Sequence, residues 1–203
     1  MNAEEPPYEY CALRFVIQWE RHERALHEDI SRKLSAEAIR TALSYFQVAR
    51  GFAGLDEKAE MVAKALIKMS KGLNEGNVID RVINLSDYFF REFNSKNLSA
   101  ASKLLWLRCR NPVVILDSRT AAALNKLGYR VKKGDYVSFY RAWHEEYGKR
   151  RFELQRAAKR LKELKSYTAS WRRSADEFRA DIEAVWFSER TFDLLLWELG
   201  DES

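Results

Sequence analysis

The chain predicts an all-α fold, a compact multi-helix bundle, on three observations. Only eight Gly and three Pro punctuate 203 residues, which suits long helices with short connections better than a turn-rich β fold. Apolar residues recur at helical spacing through most segments. Residues 113–116 are the only convincing extended run.

Residues 1–7 read as a loose tail. A helix is expected over about 8–33, although CALRFVIQW near its start is equally compatible with an extended run. Ser35 caps SAEAIRTALSYFQVARGF, in which Ala38, Leu43, Phe46 and Val48 supply most of the apolar face and Gly51 and Gly54 form the end. Asp56 opens the next helix, with Met61, Ala65, Ile67 and Met69 at helical spacing, and Lys71-Gly72 closes it before a turn at 74–77. Val78–Phe93 is strongly apolar and aromatic and is expected to pack centrally, until 94–97 breaks it. Ser99 then caps a helix that cannot pass Asn111-Pro112, because proline restricts the residue before it. Residues 117–127 are helical, with Gly128 as the stop. Asp135 caps a long helical region to about residue 165, which could break near Gly148. A last helix covers 175–199, carrying Phe178, Ile182, Val185, Trp186, Leu194, Leu195 and Trp197. With no internal repeat and no low-complexity linker, residues 1–203 read as a single helical domain, divisible into lobes at about 8–95 and 96–203.

The net charge of +5 is mild, but its distribution is uneven. Residues 141–173 hold eleven Lys/Arg against four Asp/Glu, a local excess of +7. Such a stretch is either a solvated helix face or a surface for an acidic polymer such as nucleic acid, with Lys149, Arg150, Arg151 and Lys159 as its contacts. Cys11 and Cys109 form neither a metal pattern nor a disulfide framework, and Cys109 reads as a buried small hydrophobe. The acidic start MNAEEPPYEY lacks an apolar signal region, and no window reaches the roughly 18 apolar residues of a membrane span. A cytoplasmic protein that does not contact membrane is expected.

Chemistry concentrates in residues 99–120, SAASKLLWLRCRNPVVILDSRT. With Ser99 as cap, Lys103 falls in the first helical turn, where unpaired amides carry partial positive charge and disfavour an ammonium. Partial burial against Leu104 and Trp106 acts in the same direction, towards a nucleophilic amine. From Lys103 to Arg110 a helix spans roughly 10 Å. From Val113 to Asp117 an extended chain covers roughly 13 Å. A reversal at the proline therefore returns Asp117 to about the level of Lys103. Taken singly, Asp117 reads as an N-cap accepting from the amide of Arg119 or Thr120, and Lys103 as a solvated lysine on an amphipathic helix.

Two parts of this segment, Ser99-Ala100-Ala101-Ser102-Lys103 and Val114-Ile115-Leu116-Asp117, resemble the helix-hairpin-helix DNA glycosylase superfamily in its 8-oxoguanine DNA glycosylase branch. The closing pattern Trp186…Glu189-Arg190…Asp193…Leu196-Trp197…Gly200 is similar to that of small bacterial proteins of the same fold, some linked to antiphage defence. The resemblance implies a helical glycosylase fold. It implies Lys103 as the nucleophile at the sugar C1′, with a Schiff-base intermediate, and Asp117 as the group that stabilises the oxocarbenium ion. It further implies Arg119 as a contact to the target nucleotide's phosphate. The sequence departs from the family before the lysine, where a Gly-x-Gly hairpin grips a DNA phosphate. Here Lys96-Asn97-Leu98-Ser99-Ala100-Ala101 has no glycine, so Lys96 and Ser99 are the residues that could partly replace that grip.

His22 and His27 stand five apart, a poor spacing for a metal, and His144 stands alone, so all three read as surface histidines and no metal or other cofactor is expected. Trp106, Phe89, Phe90, Tyr136, Tyr140 and Trp143 are candidates to stack on an extruded base, although core packing is the commoner fate of such rings. Trp143 and Trp171 flank the basic region and are favoured for surface contact. The leading expectation is a DNA glycosylase/AP lyase-like enzyme acting through Lys103 and Asp117. The alternatives are the same pair acting on a free nucleotide or modified nucleobase, and a non-enzymatic helical adaptor with a basic face for nucleic acid or an acidic partner.

Overall fold

In a computed structural model, which describes residues 6–167 and 174–200, the chain is helical with no strand among the described residues. The helices are α1 (Tyr8–Gln18), α2 (Arg24–Glu28), α3 (Ala36–Tyr45), α4 (Leu55–Ser70), α5 (Val78–Phe93), α6 (Leu98–Cys109), α7 (Ser118–Lys126), α8 (Tyr136–Lys159), α9 (Ala175–Glu183) and α10 (Val185–Leu199). Two π-helical turns, Trp19–Glu23 and Asp29–Lys33, keep the chain helical from α1 through α2 to Lys33. A 3-10 segment, Arg160–Tyr167, prolongs α8. Among the described residues no helix is long and apolar enough to cross a membrane.

Several helix ends obey local chemistry. Ser35 accepts from the Ala38 amide at 3.1 Å, and Asp135 accepts from the Val137 amide at 2.9 Å. Other expectations fail because packing overrides propensity. The helix capped by Ser35 stops at Tyr45, well before Gly51, because Gln47 takes a positive φ of 55°. Its buried face is Ala38, Ile39, Ala42 and Leu43, so Phe46 and Val48 lie past it. In α4 the buried face is Ala59, Val62, Ala63, Ala65 and Leu66, and Met61 and Ile67 point outward. Gly148 does not interrupt α8. The last helix is two: Ala184 adopts an extended ψ of 145° between α9 and α10. Phe178 and Ile182 are buried before that break, and Trp186 and Phe187 after it.

The chain divides into two compact units. One comprises His22–Leu116 with Lys133–Val137. Its core is built from the apolar faces of α3, α4 and α5 around α6, including Ile39, Val62, Leu66, Val82, Leu85, Leu104 and Leu105. The buried residues of α6 run unbroken from Ala100 to Leu107, the signature of a central helix rather than a surface one. Among the described residues the other unit comprises 6–21, 117–132, 138–167 and 174–200. Here α10 packs on α1 and α7, and Phe15, Trp19, Trp186 and Phe187 form an aromatic cluster with ring centroids 4.7–6.2 Å apart. A second cluster joins Trp143, Tyr147 and Phe192.

Candidate active site

The N-cap of α6 is Asn97, not Ser99: its side chain accepts from the Ala100 amide at 2.9 Å. Asparagine and serine are comparable caps, so either could have ended the turn. The consequence is chemical. Lys103 sits beyond the first turn, where the helix-end field has faded, so its setting comes from burial instead. Its side chain is 6 % exposed. Nζ donates to Ser99 Oγ at 2.9 Å, one helical turn back on the same face, and lies 5.6 Å from the centre of the Phe46 ring. Burial away from water is one of the settings in which a lysine amine becomes available as a nucleophile.

The segment after α6 turns back along it. Arg110 takes a positive φ of 54°, the Asn111-Pro112 peptide is cis, and the Val113 amide donates to the Arg110 carbonyl at 2.9 Å. Residues 113–116 are extended but form no strand, because side chains rather than a neighbouring strand pair with the backbone. Ser102 Oγ accepts from the Leu116 amide at 3.0 Å while donating to the Ser99 carbonyl at 3.0 Å. Tyr136 Oη donates to the Val114 carbonyl at 2.7 Å. The reversal thus sets Leu116 beside Ser102, the residue that precedes Lys103.

Asp117 begins the other unit and caps α7. Its carboxylate accepts from the Arg119 amide at 3.1 Å, and Thr120 Oγ1 accepts from the Asp117 amide at 3.3 Å, the reciprocal bond of a capping box. Arg119 lays its guanidinium 4.0 Å over the Trp197 ring. Arg14 approaches the same ring at 5.8 Å and pairs with Glu198. Gly200 closes α10 against the first turn of α7, where a Cβ would overlap the Arg119 carbonyl. Trp197 and Gly200 were legible only as part of a terminal pattern, and Ser102 carried no signal of its bridging role.

The other expected contacts separate by environment. Trp106 is 1 % exposed within α6, and Trp143 is equally buried, with Nε1 donating to Asp193 at 2.7 Å. Trp143 is therefore no surface ring: the apolar face of α8 turns it inward onto Phe192 and Tyr147. Trp171 lies outside the described residues. Phe89 and Tyr136 are buried, Tyr140 lies 4.3 Å from the His144 ring, and Phe90 is exposed. His22 is exposed, but His27 and His144 are half-buried, and His27 Nδ1 lies 2.7 Å from the Leu107 carbonyl oxygen. No group of three metal-ligating side chains occurs among the described residues.

Lys96 pairs with Asp87 at 3.1 Å. Lys149 meets Tyr129 Oη at 2.6 Å and Glu146 at 3.2 Å, while Arg150 Nε meets Glu146 at 2.6 Å. The Tyr129 hydroxyl and then Glu146 raise the Lys149 pKa. At Glu146 burial pushes the carboxyl upward, but hydrogen bonds from Arg150, Tyr129 and Lys149 outweigh it and bring the pKa below its ordinary value. Cys109 is half-buried at the end of α6 rather than part of the core, and that partial burial raises its thiol pKa, whereas Cys11 is fully buried. Arg151 stands 4.6 Å from the centre of the Phe152 ring, and Lys159 is exposed at the end of α8. Comparison with family models, with curated proteins and with solved structures finds no match for the chain.

Proposed function

We propose that the protein is a DNA glycosylase/AP lyase-like enzyme of the helix-hairpin-helix type that excises a modified base from DNA through Lys103. The observation that carries this reading is the buried Lys103 amine, hydrogen-bonded to Ser99, on the helix against which Ser102 pins the returning segment at Leu116. In the proposed reaction the lone pair of a neutral Lys103 amine forms a bond to C1′ of an extruded nucleotide. The C1′–base bond breaks and its electron pair leaves with the base, which takes up a proton. Opening of the sugar ring gives the Schiff base. β-Elimination then breaks the 3′ C–O bond, and water releases the lysine. Asp117, the residue that follows Leu116, supplies negative charge to the oxocarbenium-like transition state. Arg119 is assigned to the nucleotide's phosphate. The resemblance to phage-defence proteins extends the reading to a bacterial antiphage role.

Borohydride trapping tests it. The wild-type chain is expected to cross-link to a duplex carrying a modified base, and Lys103→Gln to give no adduct. Equal trapping by both would overturn the assignment. A second reading, in which the pair acts on a free nucleotide or modified nucleobase, is favoured by the start of α6, where the Asn97 side chain already takes up the Ala100 amide and no Gly-x-Gly hairpin precedes the helix. Filter binding at two salt concentrations separates the readings, since binding to a polyanion weakens steeply with salt and a small ligand does not show that slope.

A further inference from the structure

We propose that the exposed face of α8 and the 3-10 segment after it is a stacking platform for unpaired nucleic acid, with a base on Phe152 and phosphates on Arg151, Arg156, Lys159 and Lys162. Phe152 is 66 % exposed, more than any other large apolar side chain among the described residues. Its position on the helix explains why it is open. Leu154, Ala157, Ala158 and Leu161 recur at helical spacing and are all buried, so they anchor one face. Phe152, Arg156 and Lys159 follow the same spacing on the opposite face.

These side chains line a concave surface of about 700 Å³ together with Arg160, Lys162 and Glu163. Four cations there face one carboxylate. Arg160 is already paired with Glu9 at 2.6 Å, whereas Arg156, Lys159 and Lys162 form no ion pair with the described residues. Arg151 holds its guanidinium carbon over the Phe152 ring, 4.6 Å from the centroid, so a base stacks on the ring's other face. By contrast, Lys149 and Arg150 one turn earlier are neutralised by Glu145 and Glu146. From Phe152 to Lys162 the platform extends roughly 16 Å along the axis.

Chemistry selects the occupant. A nucleic-acid strand supplies flat rings and phosphates at a regular interval, matching one ring followed by a row of cations. An acidic peptide would satisfy the cations and leave Phe152 without a stacking partner. An anionic membrane surface asks for an apolar stripe along the helix, and this face offers a single ring. Duplex DNA hides its base faces, so the platform favours single-stranded or gapped regions.

The test is titration of a labelled single-stranded oligothymidylate with the full chain across a salt series. Phe152→Ala is expected to weaken binding about ten-fold with an unchanged salt slope. The double variant Lys159→Gln/Lys162→Gln is expected to reduce the slope by about 1.4, two contacts at roughly 0.7 each. Lys68→Gln, an exposed lysine on α4, serves as the control that leaves both unchanged. Wild-type affinity in Phe152→Ala would overturn the proposal. So would equal or tighter binding of a polyglutamate peptide or of phosphatidylserine vesicles. The readout is binding rather than adduct formation, so failure here leaves the Lys103 reading intact, and failed trapping leaves the platform intact.

Discussion

At the start of α6 the cap is Asn97, and Lys103 stands beyond the first turn; at the start of α7 the cap is Asp117 itself. Both starts satisfy orphan amides with a short polar side chain, yet they tie the two candidate catalytic residues to stability in opposite ways. Lys103 hydrogen-bonds to Ser99 and contributes nothing to the cap. The Asp117 carboxylate both caps a helix and would carry the charge that the proposed chemistry needs. The proposed role and the folding role are separable at Lys103 and superimposed at Asp117.

The largest expected effect follows at Lys103. Lys103→Gln should abolish the trapped adduct while the thermal midpoint stays near wild type, and a large fall in that midpoint would show that Lys103 is structural after all. At Asp117 the charge and the cap come apart chemically, because asparagine caps as well as aspartate does. Asp117→Asn should lower single-turnover excision about a hundred-fold with stability retained, and unchanged excision would make the residue a cap alone. Gly200→Ala probes the packing behind α7. The added methyl group collides with the Arg119 carbonyl, so denaturant unfolding should show a loss of about 2 kcal/mol.

Asn97→Ala is the mirror experiment to Asp117→Asn. Loss of the cap should cost about 1 kcal/mol in the same unfolding assay and leave trapping in place. The smallest effect lies away from both helix starts, at Glu146. Its carboxyl pKa is lower folded than unfolded, so its contribution is present above the unfolded value and is lost as pH falls through the folded one. Glu146→Gln should therefore flatten the acid side of the stability–pH curve and leave the comparison between α6 and α7 untouched. An unflattened acid limb would mean that Glu146 keeps its ordinary titration.

Helical character, the cap at Ser35, the span Val78–Phe93 and the cap at Asp117 follow from residues within a few positions of one another, and each was legible in the sequence. So was the reversal at Asn111-Pro112, since a proline ends a helix by its own covalent geometry. Other features depend on partners distant in the chain. Trp143 was expected at the surface and is buried against Asp193, fifty positions away. The basic stretch at 141–173 reads as one charge pattern, but Glu145 and Glu146 pair with Lys149 and Arg150 within it.

The sequence by itself determined that this chain is helical and where its proline and its strong caps interrupt it, and it singled out one lysine and one aspartate as candidates. Only the tertiary structure decided that Lys103 is buried beside Ser99, that Ser102 holds the returning segment, and that Phe152 and its neighbouring cations stay open. The physical reason is range. Capping and backbone restriction act over one turn, whereas burial and charge pairing are set by whichever helix packs alongside.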